Sequence, residues 1–210
     1  LKDKYINGFK YYDLQVDDQQ LVKLNIKDAI KNGAKIYEKN KVINAQREDK
    51  YWNIKLKDNK EIKTKVLINA AGPWVNEVMH KILNINTSQH LRLVKGSHII
   101  TKKLYEQKIA FTLQNIDKRI IFIIPYNNNT LIGTTEVEVK SPYNPEIDKD
   151  EINYLIKSVN RYLNKEISKE DIKSSYSGIR PLIENIHKKN SNISRDYAFE
   201  INKDNNLAPV

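Results

Sequence analysis

Two arginines lie near the C-terminal end of the sequence, in segments with the pattern of β-strands. Arg180 stands between Gly178 and Pro181, and Arg195 occurs in a second such segment, Ser194-Arg195-Asp196-Tyr197. A guanidinium group on a buried strand face requires an anion or an acidic partner. Its planar fork fits a phosphate or a carboxylate through two parallel hydrogen bonds. The residues alone leave two interpretations open, an anion site or a pair of surface salt bridges.

His98 and Arg119 are further candidates for chemistry. His98 follows Lys95-Gly96-Ser97 at the start of an apolar strand, and its imidazole titrates near neutral pH, as a base for a hydroxyl proton must. A hydrogen-bonded structural histidine is the alternative. Arg119 follows the loop 114–118, where it either stabilises the turn or reaches into a pocket. The four histidines form no His-x-x-x-His pair and there is no cysteine, so the sequence supports no metal site.

Residues 66–74 have the pattern of a strand, a tight turn and a helix. Ala70, Ala71 and Gly72 carry too little side chain to obstruct a cofactor, and the start of a helix favours anions. A plain turn with a glycine at the bend is the alternative. The glycines stand at 8, 33, 72, 96, 133 and 178, so the sequence lacks the GxGxxG fingerprint of a dinucleotide site.

Several segments, in order along the chain, resemble the FAD-dependent (aerobic, respiratory) glycerol-3-phosphate dehydrogenases. The resemblance runs from about residue 9 to residue 210. Each segment is short, but six or more in one order with similar spacing are specific. The matching segments are Val16-Asp17-Asp18 with Leu21-Val22, Asn69-Ala70-Ala71-Gly72-Pro73-Trp74-Val75, Lys95-Gly96-Ser97-His98-Ile99, Asp117-Lys118-Arg119-Ile120, Gly133-Thr134-Thr135-Glu136, Glu151-Ile152-Asn153-Tyr154-Leu155 and the stretch 174–195.

The resemblance implies a flavoprotein of glycerol metabolism that oxidises sn-glycerol 3-phosphate to dihydroxyacetone phosphate and passes electrons to a quinone. It also implies work at the cytoplasmic membrane surface, as a peripheral protein on the inner face. His98 and Arg180 become the catalytic candidates, with His98 receiving the hydroxyl proton or an arginine holding the developing alkoxide. The implied substrate-binding residues are Arg119, Arg180 and Arg195. The implied FAD contacts are Val42, Ala70, Ala71, Gly72 and Trp74.

The resemblance further implies that this chain is an internal fragment, an excised piece or the product of a split reading frame. The family's first, pyrophosphate-binding turn lies upstream, so we expect an incomplete FAD site. We expect residues 1–90 to be part of the FAD domain, residues 91–182 to be an antiparallel substrate-binding domain, and residues 183–210 to return toward the FAD domain.

Composition limits the other classes of function. The 210 residues are 40% hydrophobic and 30% charged, and no apolar run approaches the roughly 20 residues that cross a bilayer. The net charge of +10 comes mostly from lysines scattered along the chain, without a basic helix, so we expect no nucleic-acid binding. Scattered lysine is compatible with attachment to an anionic membrane surface.

The hydrophobic pattern predicts an α+β (mixed α/β) fold. The resemblance implies part of a GR2/D-amino-acid-oxidase-like FAD domain followed by an antiparallel-sheet substrate domain. Asp17 or Asp18 is expected to cap a helix that ends near Asn32, before Gly33. Further helices are predicted over 73–83 and 148–163, and a short one from Ser168. The predicted strands are 34–37, 42–47, 51–56, 61–64, 66–70, 92–101, 109–114, 119–126, 130–134, 172–181 and 195–201.

Two other functions remain open at this point. An amine or amino-acid oxidase of similar fold binds a carboxylate, for which one arginine often suffices, whereas several arginines favour a phosphate. A non-catalytic remnant would hold no flavin. We expect the chain alone to purify colourless and without glycerol-3-phosphate oxidation, and its absorbance spectrum checks this. A yellow, active chain would contradict the expectation.

Overall fold

The β-strands of the described residues form two separate antiparallel sheets. The computed structural model describes residues 1–86, 91–183 and 199–202. One compact unit comprises Leu1–Tyr5 and Ile68–Ile201, and the other comprises Ile6–Leu67 with Asn202–Val210. The mixture of helices and antiparallel sheets agrees with the predicted fold class. The predicted division of the chain near residues 90 and 182 stays a prediction.

The smaller unit consists of one helix and a three-stranded meander. Helix α1 (Asp18–Lys31) begins at Asp17, whose carboxylate accepts a hydrogen bond from the Gln20 backbone N–H at 3.0 Å. It ends before Gly33, whose φ of 91° is accessible mainly to glycine. Strands β1 (Val42–Glu48), β2 (Tyr51–Leu56) and β3 (Glu61–Thr64) pair in that order.

The larger unit is built around six antiparallel strands. They are β4 (Leu91–Lys102), β5 (Phe111–Gln114), β6 (Ile120–Tyr126), β7 (Asn129–Gly133), β8 (Val137–Val139) and β9 (Ile172–Ile183). Strand β5 pairs with β6, β6 pairs with β7, and both β7 and β8 pair with one edge of β4. Strand β9 pairs with the other edge of β4. A hairpin turn joins β6 to β7, with positive φ at Asn127 and Asn128.

One face of this sheet is covered by helix α3 (Lys149–Asn160). Leu155 and Val159 of α3 are fully buried against Ile99, Ile123 and Ile132, one residue from each of three adjacent strands. Each buried side chain of this size contributes about 1.5–3 kcal/mol relative to exposure. The main core therefore lies on the helix side. The opposite face of the sheet carries a smaller buried cluster, Val94 with Leu182.

A buried carboxylate joins α3 to the sheet. Glu151, which is 4% exposed, accepts hydrogen bonds at Oε1 from the hydroxyls of Ser97 (2.9 Å) and Thr135 (2.6 Å). Its Oε2 accepts from the Asp148 backbone N–H at 3.0 Å and lies 2.8 Å from the Lys95 Nζ. Burial alone lowers the Lys95 pKa, but the carboxylates of Glu151 and Asp148 outweigh it and raise the pKa above its usual value. The ion pair between Lys95 and Glu151 therefore stays charged, and hydrogen-bond donors satisfy both carboxylate oxygens of Glu151.

Two predicted strands are wrong. Residues 34–37 and 66–70 make no β-ladder with any described residue, and Ile68 is 82% exposed. An apolar run without alternation is typical of a strand covered on both faces, and such a strand requires neighbours on both edges to pair its backbone. The described chain supplies no such neighbours, so residues 66–70 do not form a β-strand there.

The remaining predicted elements differ mainly at their ends. The predicted helix over 73–83 is a 3₁₀ turn, Gly72–Trp74, followed by α2 (Val75–Lys81). Strand β8 is an addition that the sequence did not predict. The last predicted strand, 195–201, lies almost entirely outside the described residues. No helix in the described ranges is long and apolar enough to cross a membrane.

We predict that Glu151→Ala destabilises the larger unit by about 3–5 kcal/mol, because it removes the buried carboxylate nearest the Lys95 ammonium and the acceptor of the Ser97 and Thr135 hydroxyls. Asp150→Ala is the matched control, since Asp150 is an exposed acidic residue of the same helical turn. Its loss costs about 1 kcal/mol or less through the helix dipole. Urea unfolding followed by circular dichroism measures both variants. Equal destabilisation of the two would contradict a special role for the buried carboxylate.

Candidate functional site

The alternation of β4 and β9 places several of the predicted residues on the sheet face that α3 leaves open. Ser97 and Ser177 lie opposite each other on the helix side, where their hydroxyls are 2.8 Å apart. Their neighbours in sequence therefore point to the other face. The register pairs His98 with Tyr176, Gly96 with Gly178 and Val94 with Arg180.

The His98 ring is held between a glycine and an aromatic ring. It stacks on Tyr176 with ring centroids 4.9 Å apart and an interplanar angle of 10°. On the neighbouring strand, a Cβ added to Gly133 would lie 2.1 Å from His98 Cδ2. Position 133 must therefore lack a side chain for the imidazole to lie in this orientation.

His98 is electrically neutral at physiological pH. Burial, and to a smaller extent the positive charge of Arg180, lowers its pKa from 6.5 to about 4. Its Nδ1 is buried and makes no hydrogen bond within the described residues. A neutral imidazole has one nitrogen that accepts a proton or hydrogen bond, so this side chain is suited to a substrate hydroxyl.

Arg180 is a half-buried cation. In the part of the chain that the structure describes, no carboxylate pairs with its guanidinium. The side chain bends over β4, because its Nη1 would lie 3.0 Å from a Cβ added to Gly96. A partly desolvated guanidinium without an acidic partner is suited to binding an anion.

The turn at Gly72 lies beside β9, the strand that carries Arg180. Gly72 has a φ of 54°, and no heavy atom lies within 4 Å of the position of a Cβ on it. The Asn69 side chain closes the turn by donating to the Val75 carbonyl at 3.0 Å and accepting from the Ala71 N–H at 3.3 Å. The backbone of Ala70 and Gly72 is exposed and carries little side chain, and their contact with a flavin stays a prediction.

The other predicted site residues are Arg119, Val42 and Arg195. Arg119 lies 3.6 Å from the Asp117 carboxylate and over the ring of Tyr154 on α3. Val42 begins β1 in the smaller unit. Arg195 lies outside the described residues. The roles suggested for these three stay predictions. Within the described ranges, no group of His, Asp or Glu side chains is arranged to hold a metal ion.

Sequence reasoning missed Tyr176, Gly178 and Gly133. A signal was available for the first two, since Tyr176, Gly178 and Arg180 recur at every second position of a predicted strand and must share a face. Gly133 had no such signal, because its proximity to His98 depends on the pairing of β7 with β4.

A cavity of about 460 Å³ lies elsewhere in the larger unit, lined by Lys102, Lys103, Tyr105 and Phe111 among others. Lys102 pairs with Asp171 at 2.6 Å, and Lys103 pairs with Glu106. These two cations already have acidic partners, unlike Arg180. The cavity contains none of the predicted site residues, so the open sheet face is the better candidate.

The sequence of this chain matches a known protein family. Residues 1–195 match the family described as FAD dependent oxidoreductase. The aerobic glycerol-3-phosphate dehydrogenase of Escherichia coli (strain K12) is 36% identical over 217 residues, covering 100% of this chain and 43% of the relative. The D-erythritol 1-phosphate dehydrogenase of Brucella abortus (strain 2308) is 38% identical over 208 residues, covering 96% of this chain and 41% of the relative.

A solved structure agrees with these sequence matches. The glycerol-3-phosphate dehydrogenase from Bacillus halodurans complexed with FAD superimposes with a TM-score of 0.72 at 26% identity. The superposition covers 81% of this chain and 36% of that chain. This chain therefore spans less than half the length of each of these relatives.

We predict that Arg180→Ala raises the pKa of His98 from about 4 toward 6.5 without reaching it, because burial is the larger cause of the shift and remains. The pH dependence of the His98 ring-proton resonances measures this. Arg161→Ala, which removes an exposed arginine, is the control and should leave the His98 pKa unchanged. A His98 pKa that does not respond to Arg180→Ala would contradict the proximity of the two side chains.

Proposed function

Because the chain belongs to the FAD dependent oxidoreductase family, we propose that it forms the substrate-binding part of an enzyme that oxidises sn-glycerol 3-phosphate to dihydroxyacetone phosphate. The observation that carries this proposal is Arg180, a half-buried guanidinium on the open sheet face with no acidic partner in the described chain. A phosphate dianion is the ligand that best matches its charge and its fork. The neutral His98 on the same face supplies the second group that alcohol oxidation requires.

Each residue has a distinct role in this proposal. Arg180 binds the phosphate and orients the substrate, with Arg195 and Arg119 as further phosphate ligands. His98 accepts the proton from the hydroxyl of the carbon being oxidised. Its pKa, lowered to about 4, keeps it unprotonated before the reaction. FAD, when bound, supplies the hydride acceptor.

The residues of the Gly72 turn would hold the flavin. Ala70, Ala71, Gly72 and Trp74 are proposed to contact it, with Val42 near its adenine end. The chain lacks a GxGxxG segment, so the pyrophosphate contacts come from outside this sequence. We keep the assignment of residues 1–90 to the FAD domain, 91–182 to the substrate domain and 183–210 to the return toward the FAD domain as part of the proposal.

The four-carbon substrate D-erythritol 1-phosphate is a second candidate. The relative from Brucella abortus named for it is 38% identical, much like the relative from Escherichia coli at 36%. Both molecules offer a phosphate for Arg180 and a hydroxyl for His98. The two candidates differ in chain length, so their dissociation constants, measured side by side, distinguish them.

We also propose a quinone as the electron acceptor and a peripheral position on the inner face of the cytoplasmic membrane. The net charge of +10 supports attraction to anionic lipid headgroups. Sedimentation with anionic and with neutral vesicles tests the membrane part of this proposal.

We predict that Arg180→Ala weakens glycerol 3-phosphate binding by about 2–4 kcal/mol, the scale for losing a desolvated charged contact. Arg180→Lys should also weaken binding, because an ammonium does not reproduce the bidentate fork. Calorimetric or NMR titration measures the dissociation constants, with Arg161→Lys as the control. If Arg180→Ala binds glycerol 3-phosphate as the wild type does, the proposed phosphate site is wrong.

A further inference from the structure

Two glycines face each other at the centre of the open sheet face. Gly96 and Gly178 are direct partners in the ladder between β4 and β9. The His98–Tyr176 pair forms the next row on one side, and the row containing Arg180 lies on the other. Successive rows on one face are about 7 Å apart. The two glycines are therefore the floor of a notch between the stacked rings and the arginine.

The two glycines differ in what lies above them. A Cβ on Gly96 would meet the Thr134 hydroxyl oxygen at 2.7 Å and Arg180 Nη1 at 3.0 Å. The guanidinium thus occupies the space over Gly96, which explains the glycine there. A Cβ on Gly178 would meet no heavy atom within 4 Å. Half of the notch is covered by Arg180, and the half over Gly178 is open.

Neither of the usual reasons for a glycine applies at position 178. Its φ lies outside the left-handed region, so any residue can adopt its backbone conformation. Among the described residues, no neighbouring side chain needs the space either. A glycine inside a strand costs about 0.5–1 kcal/mol relative to alanine, and nothing in the described fold offsets that cost.

We propose that Gly178 is a specificity-determining residue, and that the space over it holds the carbon chain of a short polyol phosphate. This inference rests on the proposed function, because Arg180 must hold the phosphate for the chain to lie there. The notch then runs from the guanidinium toward the imidazole, so a phosphate on Arg180 directs the adjoining carbons across Gly178 toward His98. A methyl group at position 178 would occupy the path of the carbon chain while leaving the phosphate contact open.

The test compares two ligands on matched variants. Dissociation constants for glycerol 3-phosphate and for inorganic phosphate are measured by NMR titration of wild type, Gly178→Ala and Gly8→Ala. Gly8 is the control because a Cβ there also meets nothing within 4 Å and its φ also lies outside the left-handed region. Arg180→Ala serves as the variant that should weaken both ligands. Thermal unfolding of each variant is measured alongside.

Gly178→Ala should weaken glycerol 3-phosphate binding about tenfold or more, the usual scale for overfilling a fitted site by one methyl group. Inorganic phosphate should bind within about twofold of wild type, because it needs only the guanidinium. The melting temperature should stay equal or rise slightly, as it should for Gly8→Ala.

Two results overturn the inference alone: unchanged binding of glycerol 3-phosphate, or equal weakening of both ligands. In either case the carbon chain does not lie over Gly178, while the phosphate site stands. A wild-type chain that binds neither ligand would overturn the proposed function and this inference together.

Discussion

The register between β4 and β9 determines what both faces of the larger sheet can do. Because side chains alternate along a strand, a slip of one residue would exchange the two faces entirely. In the observed register, His98, Tyr176, Gly178 and Arg180 share the open face. Ser97 and Ser177 share the covered face, where their hydroxyls touch. The proposed site on the open face and the polar contacts on the covered face therefore both depend on the pairing of β4 with β9.

Glu151 anchors β4 to helix α3 on the covered side of the sheet. Its carboxylate accepts hydrogen bonds from Ser97 of β4 and from Thr135, which follows β7, and it pairs with Lys95. Two of these partners, Lys95 and Ser97, closely precede His98 in the sequence of β4. A shifted strand would leave the carboxylate and the ammonium buried without partners, at a cost of several kcal/mol. The orientation of His98 is therefore stabilised by polar contacts that no substrate touches.

Glycines, which lack a side chain, are as important to the open face as the side chains that lie on it. Gly133 makes room for the imidazole, and Gly96 makes room for the guanidinium. With those two groups close together, the charge of Arg180 adds to burial in keeping His98 unprotonated. The proposed oxidation of a polyol phosphate requires two groups from the protein: a cation that binds the phosphate and a neutral group that accepts the proton.

Much of the fold was predictable from the sequence wherever the signal is local. The helix cap at Asp17 and the strands β1, β2 and β3 form close to where the local pattern placed them. The membership of a flavin-dependent family, suggested by short motifs, is confirmed by the match over residues 1–195. The strand predicted over 66–70 was wrong because pairing depends on neighbours that a local pattern does not contain.

The site was predictable only in part, for the same physical reason. His98 and Arg180 were recognised by residue type and motif, and they share one face. Arg119 was placed with them on resemblance, whereas its side chain contacts Asp117 and Tyr154. The roles of Gly133 and Gly96 come from contacts between strands distant in sequence, which no local spacing reveals.

A crystal structure of the protein with glycerol 3-phosphate tests the central claim most directly. The account predicts the phosphate about 3 Å from two nitrogens of the Arg180 guanidinium, with the carbon chain over Gly178 and a hydroxyl facing His98. A phosphate bound instead by Lys102 and Lys103 in the cavity near Tyr105, with the sheet face empty, would contradict it.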